Sequence, residues 1–136
     1  MKIRSAIATG GLSLALIGGV PLTTATPAAA LATQIDVGYT ILQGGYWKGS
    51  GSYSNGSGQY ARVCVSLWKT WEGPDSQLSI SCRVASQGTS QAFSAPSVKC
   101  TPLVPHVFIS TRVQAFDANN SVVATKTSNQ IGAGSC

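Results

Sequence analysis

The sequence predicts an all-β fold: six or seven short strands stacked as two sheets and fastened by two disulfides. Three observations carry this. Beyond the N-terminal leader no window repeats apolar residues at helical spacing, so no helix longer than a turn is expected. Short apolar runs rich in Val, Ile, Leu and Trp recur between clusters of Gly, Pro, Asn and Asp, which punctuate strands and turns. The four cysteines, Cys64, Cys82, Cys100 and Cys136, form an even set without the close C-x-x-C spacing of a metal site.

The N-terminus explains why disulfides are expected. Lys2 and Arg4 precede an apolar run from Leu12 to Val20, and small residues follow up to Ala28-Ala29-Ala30-Leu31-Ala32. A basic head, a short apolar middle and an A-x-A exit describe a secretory signal peptide, here residues 1–32. Gly18, Gly19 and Pro21 interrupt the run, which falls short of the about 20 residues a membrane span needs. A secreted, extracellular protein without a membrane span is therefore expected. Cleavage after Ala32 leaves 136 − 32 = 104 residues, one domain whose modest core calls for cross-links. Within it, residues 33–58 form an N-terminal strand and a Gly/Tyr/Ser-rich segment, and residues 59–136 the disulfide-stabilised remainder.

Loss of the leader removes Lys2 and Arg4 from the nine basic residues, so seven remain against four acids, a net charge of +3. The seven are scattered singly. A nucleic-acid surface would gather them into a stripe, so no nucleic-acid partner is expected.

The chain is organised around residues 61–83. Two apolar runs flank Glu72-Gly73-Pro74-Asp75, and Cys64 and Cys82 lie at equal distance from Gly73, as in a hairpin whose cysteines face each other. Of the three possible pairings, this favours Cys64 with Cys82 and leaves Cys100 with Cys136. Pairing residue i with 146 − i sets Val63, Val65 and Leu67 against Arg83, Ser81 and Ser79, so the two apolar faces disagree. Either a bulge shifts the register by one or the two strands belong to opposite sheets.

Elsewhere, Ile35, Val37, Tyr39 and Ile41 alternate with polar residues in one strand over 33–42. Residues 43–58, rich in Gly and Ser, read as loop or irregular edge strand. Residues 91–98 form a short strand with Phe93 inward, which Pro96 confines to an edge. Residues 107–116 and 122–128 form a last hairpin around Asp117–Ser121. Pairing i with 238 − i sets Val113 on Thr125 and Ala115 on Val123, with Asn120 free to adopt the left-handed conformation of the turn. Such strand spacing in about 100 residues argues for an immunoglobulin- or fibronectin-like sandwich.

A signal peptide, VCVSL in one strand, SISC in the next, a third cysteine before a Pro-containing connector, STRVQAF with a D-A-N-N turn and a terminal cysteine together resemble the small secreted immunoglobulin-like proteins of actinobacteria. The resemblance covers the chain from about Tyr60 on. It implies the fold and export and supplies no chemistry. The Trp-Arg-Tyr loop of four-cysteine amylase inhibitors is absent; Trp68-Lys69-Thr70-Trp71 is a different motif.

Catalysis finds little footing. The single histidine, His106, sits at a strand start, and serines are abundant because turns and strand surfaces use them. Glu72 and Asp75 are accounted for as turn residues. No glycine run leads into a helix and lysine as a phosphate loop would, so neither enzyme activity nor a cofactor or metal is expected. Asn55-Gly56-Ser57 and Asn119-Asn120-Ser121 match both the glycosylation sequon and turn signals. The aromatic set Tyr46, Trp47, Tyr53, Trp68 and Trp71 reads as a binding surface, because rigid amphipathic rings on Gly/Ser-rich chain give contact area at low entropic cost. A protein partner outside the cell is the first expectation and a carbohydrate or cell-wall glycan the alternative, with hydrolase inhibition through residues 71–75 a further one.

Overall fold

The computed structural model of the protein describes residues 31–71, 73–101 and 107–132. The expected leader, His106 and the expected Cys100–Cys136 bridge, through Cys136, lie outside the described residues. Every regular element described is a strand: β1 (Thr33–Val37), β2 (Ile41–Gln43), β3 (Tyr46–Lys48), β4 (Ser50–Asn55), β5 (Arg62–Thr70), β6 (Ser76–Val84), β7 (Ser90–Ser94), β8 (Val98–Lys99), β9 (Phe108–Phe116), β10 (Val122–Thr127) and β11 (Ile131–Gly132). A larger sheet runs β10-β9-β5-β6, with β11 also on β9, and two smaller sheets run β1-β4-β7 and β2-β3-β8. All pairings are antiparallel.

The two smaller sheets form one layer with a shared break. Only Gly49 separates β3 from β4, and it stays in the ladder, its carbonyl accepting from the amide of Ala95 at 3.1 Å while the amide of Gly38 donates to the carbonyl of Ser50 at 2.9 Å. The expected single strand over 33–42 is thus two. Across the break the inward parity flips: Ile35 is buried, but Thr40 takes the inward place expected of Tyr39, which is exposed. Thr40 is held there because its hydroxyl bonds the hydroxyls of Thr111 (2.7 Å) and Ser128 (2.8 Å), and its amide donates to Oδ1 of Asn129 at 3.0 Å.

The Gly/Ser-rich segment is not loop. It supplies β3 and β4, the central strands of both smaller sheets. Gly49 and Gly51 face the larger sheet, where a Cβ on Gly51 would collide with a methyl of Val113 and one on Gly49 with the hydroxyl of Thr111. The layers meet too closely there for any side chain, and the entropic cost of ordering glycine is offset by burial on both sides.

In the first hairpin β5 and β6 pair directly in one sheet, and Cys64 is bonded to Cys82, with Cα atoms 4.0 Å apart. The register follows 146 − i from Arg62 to Leu67, then shifts by one so that Trp68 faces Gln77. The shift does not reconcile the faces. β6 is an edge strand that turns Ser79, Ser81 and Arg83 toward the second layer and leaves Ile80 exposed. Ser79 donates to the carbonyl of Pro96 (2.7 Å), and the Arg83 guanidinium lies 4.9 Å from the centre of the Phe93 ring. In the last hairpin the expected register is wrong by one over most of its length: Val113 faces Lys126 and Ala115 faces Ala124, while Phe116 faces Val122. A bulge at Val123 accounts for the offset. Asn120 does adopt a left-handed φ of 64°.

The core lies between the layers, with Val63, Val65, Leu67, Ile109, Val113 and Ala115 from the larger sheet against Ile35, Trp47, Tyr53 and Phe93 from the smaller ones. At one end Asn55 is fully buried. Its Nδ2 donates to the carbonyls of Tyr60 (2.9 Å) and Ala85 (3.0 Å), and its Oδ1 accepts from the amide of Tyr60 at 3.1 Å.

Gly51→Ala, which drives a methyl into Val113, is expected to lower unfolding free energy by about 1–3 kcal/mol in chemical denaturation. Asn55→Ala is expected to cost about 1–3 kcal/mol for each main-chain group left unpaired. Mass spectrometry of protein made in a glycosylating host is expected to find Asn55 unmodified, because the amide a glycan would occupy is engaged inside the fold.

Candidate binding faces

Side chains alternate across a strand, so each layer turns a second face to solvent. The exposed large apolar residues divide between these two faces. Ile80, Val84, Phe108 and Val122 lie on the larger sheet, while Tyr39, Ile41 and Tyr46 lie on the smaller ones; Trp71 follows the end of β5.

On the larger sheet the outward row of β5 reads Arg62, Cys64, Ser66, Trp68, and that of β9 reads Ser110, Arg112, Gln114, Phe116. Two guanidinium–aromatic stacks stiffen it. Arg112 lies 4.1 Å from the Trp68 ring centre, and Arg62 lies 4.3 Å from that of Phe116. Each arginine is also tethered at its tip: Arg112 to Asp75 at 3.3 Å and Arg62 to Oδ1 of Asn120 at 2.7 Å. The Trp68 indole N–H donates to Ser66 Oγ at 2.7 Å, and that hydroxyl donates to the Arg112 carbonyl at 3.3 Å. An arginine held flat on a ring loses little freedom when a ligand arrives. The Cys64–Cys82 bridge crosses the same face and ties edge strand β6 to it.

The five aromatic residues expected to form one surface are not brought together. Trp47 and Tyr53 are buried, at 2% and 5% exposure, and belong to the core, so neither ring offers a face to a ligand. Trp47 points inward because Tyr46 and Lys48 on either side of it point outward. The Tyr53 ring packs edge-on against Phe93 with centroids 6.5 Å apart, and its hydroxyl reaches the Val84 carbonyl at 3.4 Å. Tyr46 is exposed on the smaller layer, whereas half-buried Trp68 is on the larger one. Trp71 is exposed at the hairpin end, its ring edge lying over Gly73. With Trp47 buried, Trp68 half-buried beneath Arg112 and Trp71 exposed at the hairpin end, the three tryptophans offer a sugar no pair of open rings. Sequence reasoning missed Tyr39, Ile80, Val84 and Phe108. Tyr39 was hidden by the expected strand parity; the others read as ordinary strand residues.

Among the described residues no three His, Cys, Asp or Glu side chains gather as a metal site would require, and no helix is long and apolar enough to cross a membrane. Comparison of the chain with protein-family models, with curated proteins and with solved structures finds no match. The faces are therefore interpreted from their own chemistry.

Burial pushes the Tyr60 phenol above its ordinary value of 10.0, with the charge of Lys126 acting in the opposite direction. A raised value means that the fold favours the neutral phenol. Its contribution is intact below pH 10.0 and is lost as pH rises through the folded-state value. Stability measured against pH is expected to fall above that point, and Tyr60→Phe is expected to flatten this alkaline decline.

Proposed function

We propose that the chain is an exported, non-enzymatic binding module that recognises a protein partner outside the cell. In this reading it is an immunoglobulin-like sandwich with two disulfides, Cys64–Cys82 and Cys100–Cys136, similar to the small secreted immunoglobulin-like proteins of actinobacteria. One observation supports the reading most: Ile80, Val84, Phe108 and Val122 are all exposed on a single sheet face that also carries two arginine–aromatic stacks. Exposed apolar side chains spread across one sheet face suit a protein partner better than a small molecule. Arginine and tryptophan are the residues that most often dominate such contacts. Trp71 and the Trp68–Arg112 pair would anchor one end, with Ile80 and Val84 extending the contact along the edge strand.

The test is recovery of partners from culture supernatant on immobilised protein. The wild type is expected to retain a discrete protein partner. Ile80→Asp with Val84→Asp is expected to reduce recovery by about tenfold or more, and Trp71→Ala by a comparable factor. Equal recovery by all variants, with thermal unfolding unchanged, would show that this face is not the interface.

A further inference from the structure

We propose that the outward face of β2, β3 and β8 is a separate site for an acidic polysaccharide. The ladder sets Tyr46 between Gln43 and Lys99, and Lys48 beside Ile41. Lys48 and Lys99 are thus diagonal neighbours flanking the Tyr46 ring, a relation that places the two residues roughly 7–8 Å apart. Tyr39 is 80% exposed and Tyr46 44%. Between Tyr39 and Lys48 lies a shallow depression of ≈ 200 Å³, lined also by Ile41, Gly49, Ser50 and Ser94.

Charge decides what this face would hold. Every described carboxylate is engaged elsewhere: Asp36 with Lys126 at 3.2 Å, Asp75 with Arg112, and Asp117 with the amides of Asn119 (2.9 Å) and Ser121 (3.0 Å) of its own turn. The three described arginines outside the leader are stacked on rings of the larger sheet or of Phe93. Lys48 has the neutral amide oxygen of Gln43 at 3.2 Å as a partner. Two cations therefore share a face with two exposed phenol rings, and the described carboxylate on the outer side of the same layer, Asp36 opposite Ser52, is paired with Lys126.

That combination matches a chain of sugars carrying carboxylate groups. Tyrosine rings stack on the C–H faces of sugars, the lysines take the acid groups, and the hydroxyls of Ser50 and Ser94 meet those of the ligand. An acidic peptide fits less well, since protein contacts centre on desolvated apolar anchors and are depleted in lysine. Here Ile41 is the one exposed aliphatic side chain, and the depression is shallow, with the serines Ser50 and Ser94 in its lining.

Titration calorimetry of the purified chain at low salt tests this with three probes: polygalacturonate, its uncharged methyl ester and polyglutamate. Polygalacturonate is expected to bind, and the ester and polyglutamate to bind at least about fivefold more weakly. Lys48→Gln with Lys99→Gln, and separately Tyr39→Ala with Tyr46→Ala, are each expected to weaken polygalacturonate binding at least about fivefold. Asn119→Ala, in the distant turn, is expected to leave it unchanged, and thermal unfolding checks that every variant is folded. Failure to bind polygalacturonate would overturn the proposal. So would equal binding of polyglutamate, or indifference to loss of the two tyrosines, since charge alone would then explain the interaction.

Discussion

The close approach of the two layers at Gly49 and Gly51 is the constraint on which the rest of the structure depends. Any side chain at either position would collide with Thr111 or Val113. Because the central strands of the smaller layer present hydrogen atoms there, β9 lies against them directly. Its Thr111 hydroxyl then comes within hydrogen-bonding distance of Thr40, and the Thr40–Thr111–Ser128 network closes one side of the core. A buried polar network of this kind is stabilising only when its members are satisfied, and here the hydroxyls satisfy one another.

The same packing sorts the aromatic residues. Bulky groups have no place at the centre of the contact, so Trp47 and Tyr53 fill the space on either side of the two glycines, and Tyr60 lies at the end near Asn55. Aromatic side chains that the core does not take up are turned outward. On the larger sheet Phe116 and Trp68 are covered by arginine, giving stiff surfaces whose cations are already paired. On the smaller layer Tyr39 and Tyr46 stay open beside lysines without a described carboxylate. Two faces of different chemistry thus lie on opposite sides of one core.

How far the candidate surfaces could be read from sequence depends on the length of each strand signal. Tyr46-Trp47-Lys48 is only three residues between glycines, so the alternation that sends Trp47 inward and its neighbours outward is too short to read. In residues 33–42 the apolar alternation is long but misleading. The break at Gly38–Thr40 flips parity, and the hydrogen bonds that hold Thr40 inward come from Thr111, Ser128 and Asn129, far along the chain. In β6 from Ser79 to Val84 the outward residues are apolar and the inward ones polar. This is the reverse of a core strand, and it is stable because an edge strand reaches only the rim of the opposing layer.

By itself the sequence determined the all-β class, the Cys64–Cys82 hairpin, the inward Phe93 and the left-handed Asn120. Each is set by local turn chemistry or by residues that face each other across a short connection. The tertiary structure alone decided that the glycine-rich segment supplies the central strands, that bulges offset both hairpins, and which rings are core and which are surface. Those outcomes depend on how near the two layers come to each other, and that distance is fixed by contacts between residues such as Gly51 and Val113, which no local pattern connects.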